Sequence, residues 1–210
     1  MKKIKLLLCL FMLTTLCGCS NSNKNESSKT LNAAMFWIST SLDPTNNYDG
    51  WVLSRIGVGE TLLKLNEKYE VEPYLAKSYE QIDDTTWKLT LKDSITFSNG
   101  KKVENVKSCL ERAFEKNTRA IDYFDLNHVE AKGQDIYLYL NKSSGAILNN
   151  LCEPLFTIYD ASQSEEDIAN HPLCTGPFVV DDFVSEKTID TSKNKKYYDG
   201  KAKLDHVHFS

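Results

Sequence analysis

Two short segments in which every second residue is apolar constrain the fold of this chain more than any other feature. They are residues 87–91, which follow the turn residues 83–84, and residues 136–140, which follow Gly133. Side chains two positions apart point to the same face of a strand, so each segment predicts one strand of a half-buried β-hairpin. Residues 103–116 carry apolar residues at steps of three and four, which predicts an amphipathic helix. Several hairpins with few helices are typical of an α+β (mixed α/β) fold and not of a regular βαβ array.

Shorter apolar stretches, several of them bounded by turn-forming residues, predict the other elements. The last stretch has no turn or polar tail after it, which predicts that the sequence is part of a longer chain. The predicted strands cover residues 31–38, 61–65 and 206–209, and the predicted helices cover residues 49–57, 144–151 and 164–170.

The N-terminus has the pattern of an export signal. Three lysines among residues 2–5 precede an apolar run at residues 6–13. A transmembrane helix needs about 20 apolar residues, so this run is too short for a stable span. The pattern is typical of a signal peptide, and an uncleaved single-helix anchor is the alternative.

The next small residues, Leu-Cys-Gly-Cys at 16–19, resemble a bacterial lipobox. We therefore predict a signal peptide at residues 1–18, lipidation of Cys19, a flexible polar tether at residues 19–30 and a globular part at residues 31–210. Two or more acyl chains anchor a protein stably, whereas one chain binds only marginally. The predicted location is extracytoplasmic, in the periplasm or at the outer face of the cytoplasmic membrane, with a lipid anchor in that membrane.

The six cysteines do not form a simple disulfide framework. Two leave with the signal and Cys19 carries the lipid, so Cys109, Cys152 and Cys174 remain. A free cysteine on the apolar face of a helix behaves as a small hydrophobic residue, which is the role predicted for Cys109. A bond between Cys152 and Cys174 stays open, because sequence does not report the Cα separation that a disulfide requires.

Charge and motifs argue against several classes of function. The 25 Lys+Arg against 29 Asp+Glu give a net charge of −4, without the basic stripe that a nucleic-acid partner requires. Gly57-x-Gly59 lacks the third glycine of a dinucleotide loop. His206 and His208 share a strand face, but two ligands do not make a metal site. The sequence therefore predicts no enzyme, no cofactor, no metal site and no nucleic-acid partner.

The order of seven short signatures resembles that of the extracellular solute-binding proteins of family 5, which serve peptide- and nickel-type ABC importers. Each signature is weak alone, but seven in the right order are specific, and they cover nearly all residues after Leu31. They are SLDP at 41–44, GETLL at 59–63, EPYLAKS at 72–78, DD at 83–84 with WKLTL at 87–91, ITFSNGK at 95–101, CTGPF at 174–178 and NKKYYDG at 194–200.

This resemblance implies a bilobed fold like that of the type II periplasmic binding proteins, in which hinge closure encloses a ligand between two lobes. Complete members of the family are more than twice as long. The chain is therefore expected to contain part of the first lobe together with its small subdomain, and to be a monomer.

The resemblance also implies a function. The intact protein is expected to capture short peptides outside the membrane and to deliver them to an ABC permease and its ATPase, with a nickel chelate as the alternative ligand. Asn47, Tyr48 and Trp51 are the expected cleft residues, and Arg119 and Tyr123 match the place where nickel-binding relatives hold an anionic chelator. Core packing is the alternative role for Trp51 and Tyr123. A secreted enzyme and a truncated surface lipoprotein that binds nothing remain as other classes.

Overall fold

The structure is a computed structural model that describes residues 28–210. The predicted signal peptide, the lipidation of Cys19 and most of the predicted tether lie outside the described residues. Strand β1 begins at Thr30, the last residue assigned to that tether. Within residues 28–210, no helix has the length and apolar character that crossing a bilayer requires.

Strands outnumber helices in the described part of the chain. The strands are β1 (Thr30–Ala33), β2 (Leu63–Leu65), β3 (Val71–Pro73), β4 (Ala76–Gln81), β5 (Thr86–Leu91), β6 (Leu126–Lys132), β7 (Asp135–Leu140), β8 (Phe178–Val184), β9 (Thr188–Lys193) and β10 (His206–Phe209). The helices are α1 (Asp49–Arg55), α2 (Val106–Lys116), α3 (Ala120–Tyr123), α4 (Ile147–Asn150), α5 (Glu165–Asn170) and a 3-10 turn at Pro154–Phe156.

The strands form two four-stranded sheets and one small hairpin. The first sheet has the order β1-β10-β9-β8, in which β1 is parallel to β10 and the other pairs are antiparallel. The second sheet has the order β4-β5-β7-β6 and is antiparallel throughout, and β2 pairs with β3. This arrangement confirms the predicted mixed α/β class.

The predicted alternation sets the faces of the second sheet. In β7, Ile136, Leu138 and Leu140 are buried, whereas the two tyrosines between them are only half-buried. Helix α2 packs its apolar stripe, which includes Leu110 and the free thiol of Cys109, against this sheet through β6. Burying this apolar face against the helix stabilises the sheet.

Several element boundaries differ from the sequence prediction, and two of these differences have a visible cause. The first strand was expected over residues 31–38 but ends at Ala33, because its partner β10 ends at Phe209. The helix expected from Val103 begins at Val106. The amide of Val103 instead donates to the Ile95 carbonyl at 3.3 Å, which keeps this residue out of the helix.

The sequence pattern did not predict the two shortest helices, α3 and α4, correctly. The helix expected over residues 144–151 contracts to the single turn of α4, and α3 was not predicted. Isolated helices of four residues are not stable by propensity alone, so tertiary packing decides where they form. Helix α3 carries Tyr123 and begins directly after Arg119, so it positions two of the expected cleft residues.

Candidate ligand-binding site

A cleft of about 510 Å³ opens on the surface where α1, α3 and the irregular segment after β1 meet. Its walls are mainly aromatic, and Phe36 is 89% exposed at its edge. Aromatic walls with a few polar groups are typical of small-molecule sites. The lining residues are Phe36, Trp37, Tyr48, Trp51, Arg55, Arg119, Tyr123 and Glu153.

The guanidinium of Arg119 is the central polar group of the cleft. Its Nη1 donates to the carbonyl oxygen of Asn47 at 2.9 Å, and its Nη2 donates to the Tyr123 hydroxyl at 2.8 Å. Its Cζ lies 3.7 Å from the centre of the Tyr48 ring. Among residues 28–210, no carboxylate forms a salt bridge with Arg119. A guanidinium has five N–H donors, so several stay available for a ligand.

The cleft is also lined by a carboxylate and a second arginine. The indole Nε1 of Trp51 donates to Oε1 of Glu153 at 2.8 Å. The Cζ of Arg55 lies 5.3 Å from the Trp51 ring centre and 5.6 Å from that of Phe36. Two guanidinium groups and one carboxylate give the cleft a net positive charge, which favours anionic groups of a ligand.

Helix α1 brings Trp51 to Glu153 because the two backbone segments approach closely. A Cβ on Gly50 would collide with the carbonyl oxygen of Pro154, so this position requires glycine. Glu153 precedes the 3-10 turn that begins at Pro154. The hydrogen bond between Trp51 and Glu153 therefore depends on glycine at position 50, which leaves room for the backbone of Pro154.

The segment before α1 is held by a buried ion pair. Arg112 donates from Nη1 and Nη2 to the two carboxylate oxygens of Asp43 at 2.8 and 2.7 Å, and it also donates to Thr45 and Tyr159. Burial by itself raises the pKa of Asp43, but the hydrogen bonds from Arg112 and Thr45 outweigh burial and lower that pKa. Asp43 therefore stays ionised and anchors the start of this segment.

The hydroxyl of Tyr123 stays protonated at neutral pH. Burial, and secondarily the negative charge of Glu153, raise its pKa above the ordinary value. The neutral hydroxyl accepts a hydrogen bond from Arg119, which fixes the edge of the guanidinium that faces it.

The structure brings four of the five expected cleft residues to one cavity. Tyr48, Trp51, Arg119 and Tyr123 line it, whereas Asn47 contributes its backbone carbonyl to Arg119 and its side chain does not line the cavity. Whether these residues bind a ligand stays a prediction.

Sequence reasoning missed the other four lining residues. Phe36 and Trp37 fell inside a segment predicted as a strand, and Arg55 follows Trp51 by one helical turn, a spacing that could have found it. Nothing in the local sequence around Glu153 signals its place, because it meets Trp51 across 102 positions.

The three cysteines of the described residues and the pair His206 and His208 do not line this cleft. Cys109, Cys152 and Cys174 are all free, so the Cys152–Cys174 bond left open by the sequence is not formed. Burial raises the pKa of Cys109 to about 12, as expected for a thiol in an apolar core. The ring Nδ1 of His208 lies 2.7 Å from Asp190, on the sheet face opposite the buried side chains of β10.

Comparisons with known proteins place this chain and its fold in one class. The sequence model of "Bacterial extracellular solute-binding proteins, family 5 Middle" matches residues 70–210. The chain is 34% identical over 194 residues to the nickel-binding protein NikA of Staphylococcus aureus. The matched region covers 91% of this chain and 38% of that relative.

Two solved structures support the same assignment. The crystal structure of Staphylococcus aureus NikA in complex with Ni(L-His)2 matches with a TM-score of 0.81 and 34% identity, over 87% of this chain and 39% of that one. A nickel ABC transporter structure from Bacillus halodurans matches with a TM-score of 0.82 and 30% identity, over 87% of this chain and 38% of that one.

The fold and these matches define a solute-binding protein of the type II periplasmic class, in a family of binding proteins and not of enzymes. More closely, the chain belongs to family 5 of the bacterial extracellular solute-binding proteins. It spans about two fifths of the length of the relatives that it matches.

Proposed function

We propose that this chain is part of the substrate-binding component of an ABC importer, and that its cleft receives a nickel ion held by a small carboxylate-bearing chelator such as an amino acid. The observation that carries the proposal is the half-buried Arg119 in an aromatic cleft, without a salt bridge to any carboxylate of residues 28–210. Proteins of this kind outside the cytoplasm hand their ligand to a membrane permease and its ATPase, which are the partners we propose here.

The chemistry of the cleft suits a chelate better than a bare ion. Guanidinium groups do not bind metal cations, but they bind carboxylates through two parallel N–H donors. The rings of Tyr48 and Trp51 offer flat apolar faces on which the ring or stem of a chelator could stack. The 34% identical relative is a nickel-binding protein, which supports the same choice.

Short peptides, which the sequence ranked first, are the second candidate. The observation that favours them is Glu153, a carboxylate in the cleft that could pair with the amino terminus of a peptide. Its Oε1 already accepts from Trp51, so the amino group would meet its other oxygen. A peptide would then lie between Glu153 and Arg119, with its carboxylate on the arginine.

A binding experiment on the 210-residue chain separates the two candidates. Isothermal titration calorimetry would use Ni²⁺ with excess L-histidine, each of these alone, and a mixture of short peptides. We expect heat with the nickel–histidine mixture and little with either component alone. Binding is expected to be weaker than that of a chain with the full length of its relatives. In such a chain a second lobe would add contacts to the ligand and enclose it, and both would raise the affinity.

Replacing Arg119 with Ala should weaken binding of the nickel–histidine complex by roughly 100-fold, since charge-assisted hydrogen bonds contribute about 1.5–3 kcal/mol. The matched control is Lys77→Ala, which removes a cation that pairs with Asp93 and does not line the cleft. Heat with peptides and none with the nickel complex would overturn the nickel proposal. If Arg119→Ala and Lys77→Ala weakened binding equally, the proposed contact of Arg119 with the ligand would be contradicted.

We also propose that the protein is held at the membrane by lipid on Cys19. Replacing Cys19 with Ala should abolish labelling by a radioactive or clickable fatty acid and release the protein from the membrane fraction. Continued acylation of the Cys19→Ala protein would contradict the lipobox assignment. A Cys109→Ala protein is the control, because that buried thiol is not expected to carry lipid.

A further inference from the structure

Asn117 connects the end of helix α2 to the segment that carries the cleft residues. Its side chain is 6% exposed. Its Nδ2 donates to the carbonyl oxygens of Thr45 and Asn47, both at 3.1 Å, and its Oδ1 accepts from the amide of Arg119 at 3.0 Å. One side chain therefore bonds both to the backbone that Arg119 touches and to the backbone of Arg119 itself.

The shared acceptor is the carbonyl oxygen of Asn47. It receives one hydrogen bond from Asn117 and one from Nη1 of Arg119. Asn47 has a φ of 45°, in the left-handed region that asparagine tolerates better than most residues. This backbone conformation costs free energy and persists only where surrounding contacts hold it. The two donors from Asn117 and Arg119 are such contacts.

We propose that Asn117 is a positioning residue for ligand capture. It fixes the position of the Asn47 carbonyl relative to the backbone of Arg119. The guanidinium of Arg119 therefore lies over the Tyr48 ring and against the Tyr123 hydroxyl before a ligand binds. An arginine side chain has many rotamers, and ordering it on binding lowers affinity. Asn117 removes much of that cost in advance. Its effect on affinity rests on the function proposed above, but its effect on Arg119 does not.

The first test needs no ligand. A guanidinium stacked on a tyrosine shifts the NMR resonances of its own side chain upfield, and the sequence contains only three arginines, so Arg119 can be assigned with an Arg119→Lys protein. We expect Asn117→Ala to move the Arg119 resonances to the values of a mobile arginine. Unchanged resonances would overturn the proposal.

The matched control is Asn194→Ala. Asn194 is 5% exposed, donates from Nδ2 to the Gly176 carbonyl at 2.8 Å and accepts from the Lys196 amide at 2.9 Å, so it bonds in the same way away from the cleft. Its replacement should leave the Arg119 resonances unchanged. If Asn117→Ala does not fold, Asn117→Ser decides, because its hydroxyl oxygen can still accept from the Arg119 amide but it lacks the Nδ2 donors.

The second test measures ligand affinity. Trp37 and Trp51 line the cleft, and nickel(II) quenches nearby indole fluorescence, so quenching by Ni²⁺ with excess L-histidine reports binding. Asn117→Ala should weaken binding about tenfold in the native background and not at all when Arg119 is already Ala. Equal loss in both backgrounds would mean that Asn117 does not act through Arg119. Absence of quenching in the native protein would overturn the proposed nickel function, while the NMR test would still decide the role of Asn117.

Discussion

Arg112 lies within α2 and Arg119 lies seven positions later, just after the end of that helix, yet their surroundings differ in kind. Arg112 is paired with both carboxylate oxygens of the buried Asp43 and with Glu165. Arg119 meets a carbonyl, a hydroxyl and an aromatic face, and it forms no salt bridge within residues 28–210.

The difference separates a structural role from the ligand-binding role proposed for Arg119. A guanidinium whose donors are used by protein carboxylates has little left for a ligand, whereas one held by neutral groups keeps its charge available. Both arginines hold the segment of residues 43–48: Arg112 bonds to its first residues and Arg119 contacts its last two. The second half of α2 and the residues directly after it therefore support the cleft and supply one of its charged groups.

The largest expected effect follows replacement of Arg112 with Met. The buried carboxylate of Asp43 would lose its cation, and breaking one partner of a buried pair costs about 3–5 kcal/mol. We therefore expect the free energy of unfolding to fall by about 3 kcal/mol in urea titrations followed by circular dichroism. A loss below about 1 kcal/mol would mean that the pair contributes little to stability.

A smaller effect should appear in the pH dependence, because the two aspartates of this segment shift in opposite directions. Burial, and secondarily the charge of Asp43, raise the pKa of Asp49 to about 6. The folded state then binds this proton more tightly than the unfolded state, so the free energy of unfolding should rise by about 1 kcal/mol as the pH falls from 7 to 5. The contribution of Asp43, whose pKa is lowered, is lost only as the pH falls below its unfolded value of 3.8.

Replacing Asp49 with Asn should remove the Asp49 part of this rise. The test compares free energies of unfolding of the native and Asp49→Asn proteins at pH 7, 6 and 5, so that contributions common to both proteins cancel. Parallel curves for the two proteins would contradict the assignment to Asp49.

The smallest expected effect follows replacement of Arg119 with Met. Because its partners are a carbonyl, a hydroxyl and a ring, and because Asn117 still donates to the Asn47 carbonyl, we expect the free energy of unfolding to fall by less than about 1 kcal/mol. The same urea titration measures it beside Arg112→Met. A loss as large as that of Arg112→Met would erase the distinction between the two arginines.

Much of the fold could be predicted because its signals are local. The alternation in residues 136–140 and the 3–4 spacing in α2 place apolar side chains on one face whatever the rest of the chain does. The start of α2 could not be predicted, since Val103 is held by the backbone of Ile95 in a short bridge that no periodicity encodes.

The candidate cleft was predicted in part. Tyr48, Trp51, Arg119 and Tyr123 came from their order relative to family signatures, and the structure places them around one cavity. Glu153 was missed because its contact with Trp51 joins distant parts of the chain. Asn117 was missed for the same reason, since its acceptors lie about 70 positions before it.

Periodicity and the order of motifs were enough to establish the class of fold and the family, because both are properties of neighbouring residues along the chain. Tertiary structure alone decided which arginine is neutralised by a carboxylate and which lines the candidate cleft, because the charge that reaches a guanidinium comes from carboxylates such as Asp43, 69 positions from Arg112. Electrostatic interactions depend on distance in space and on burial, and neither is written in the local sequence.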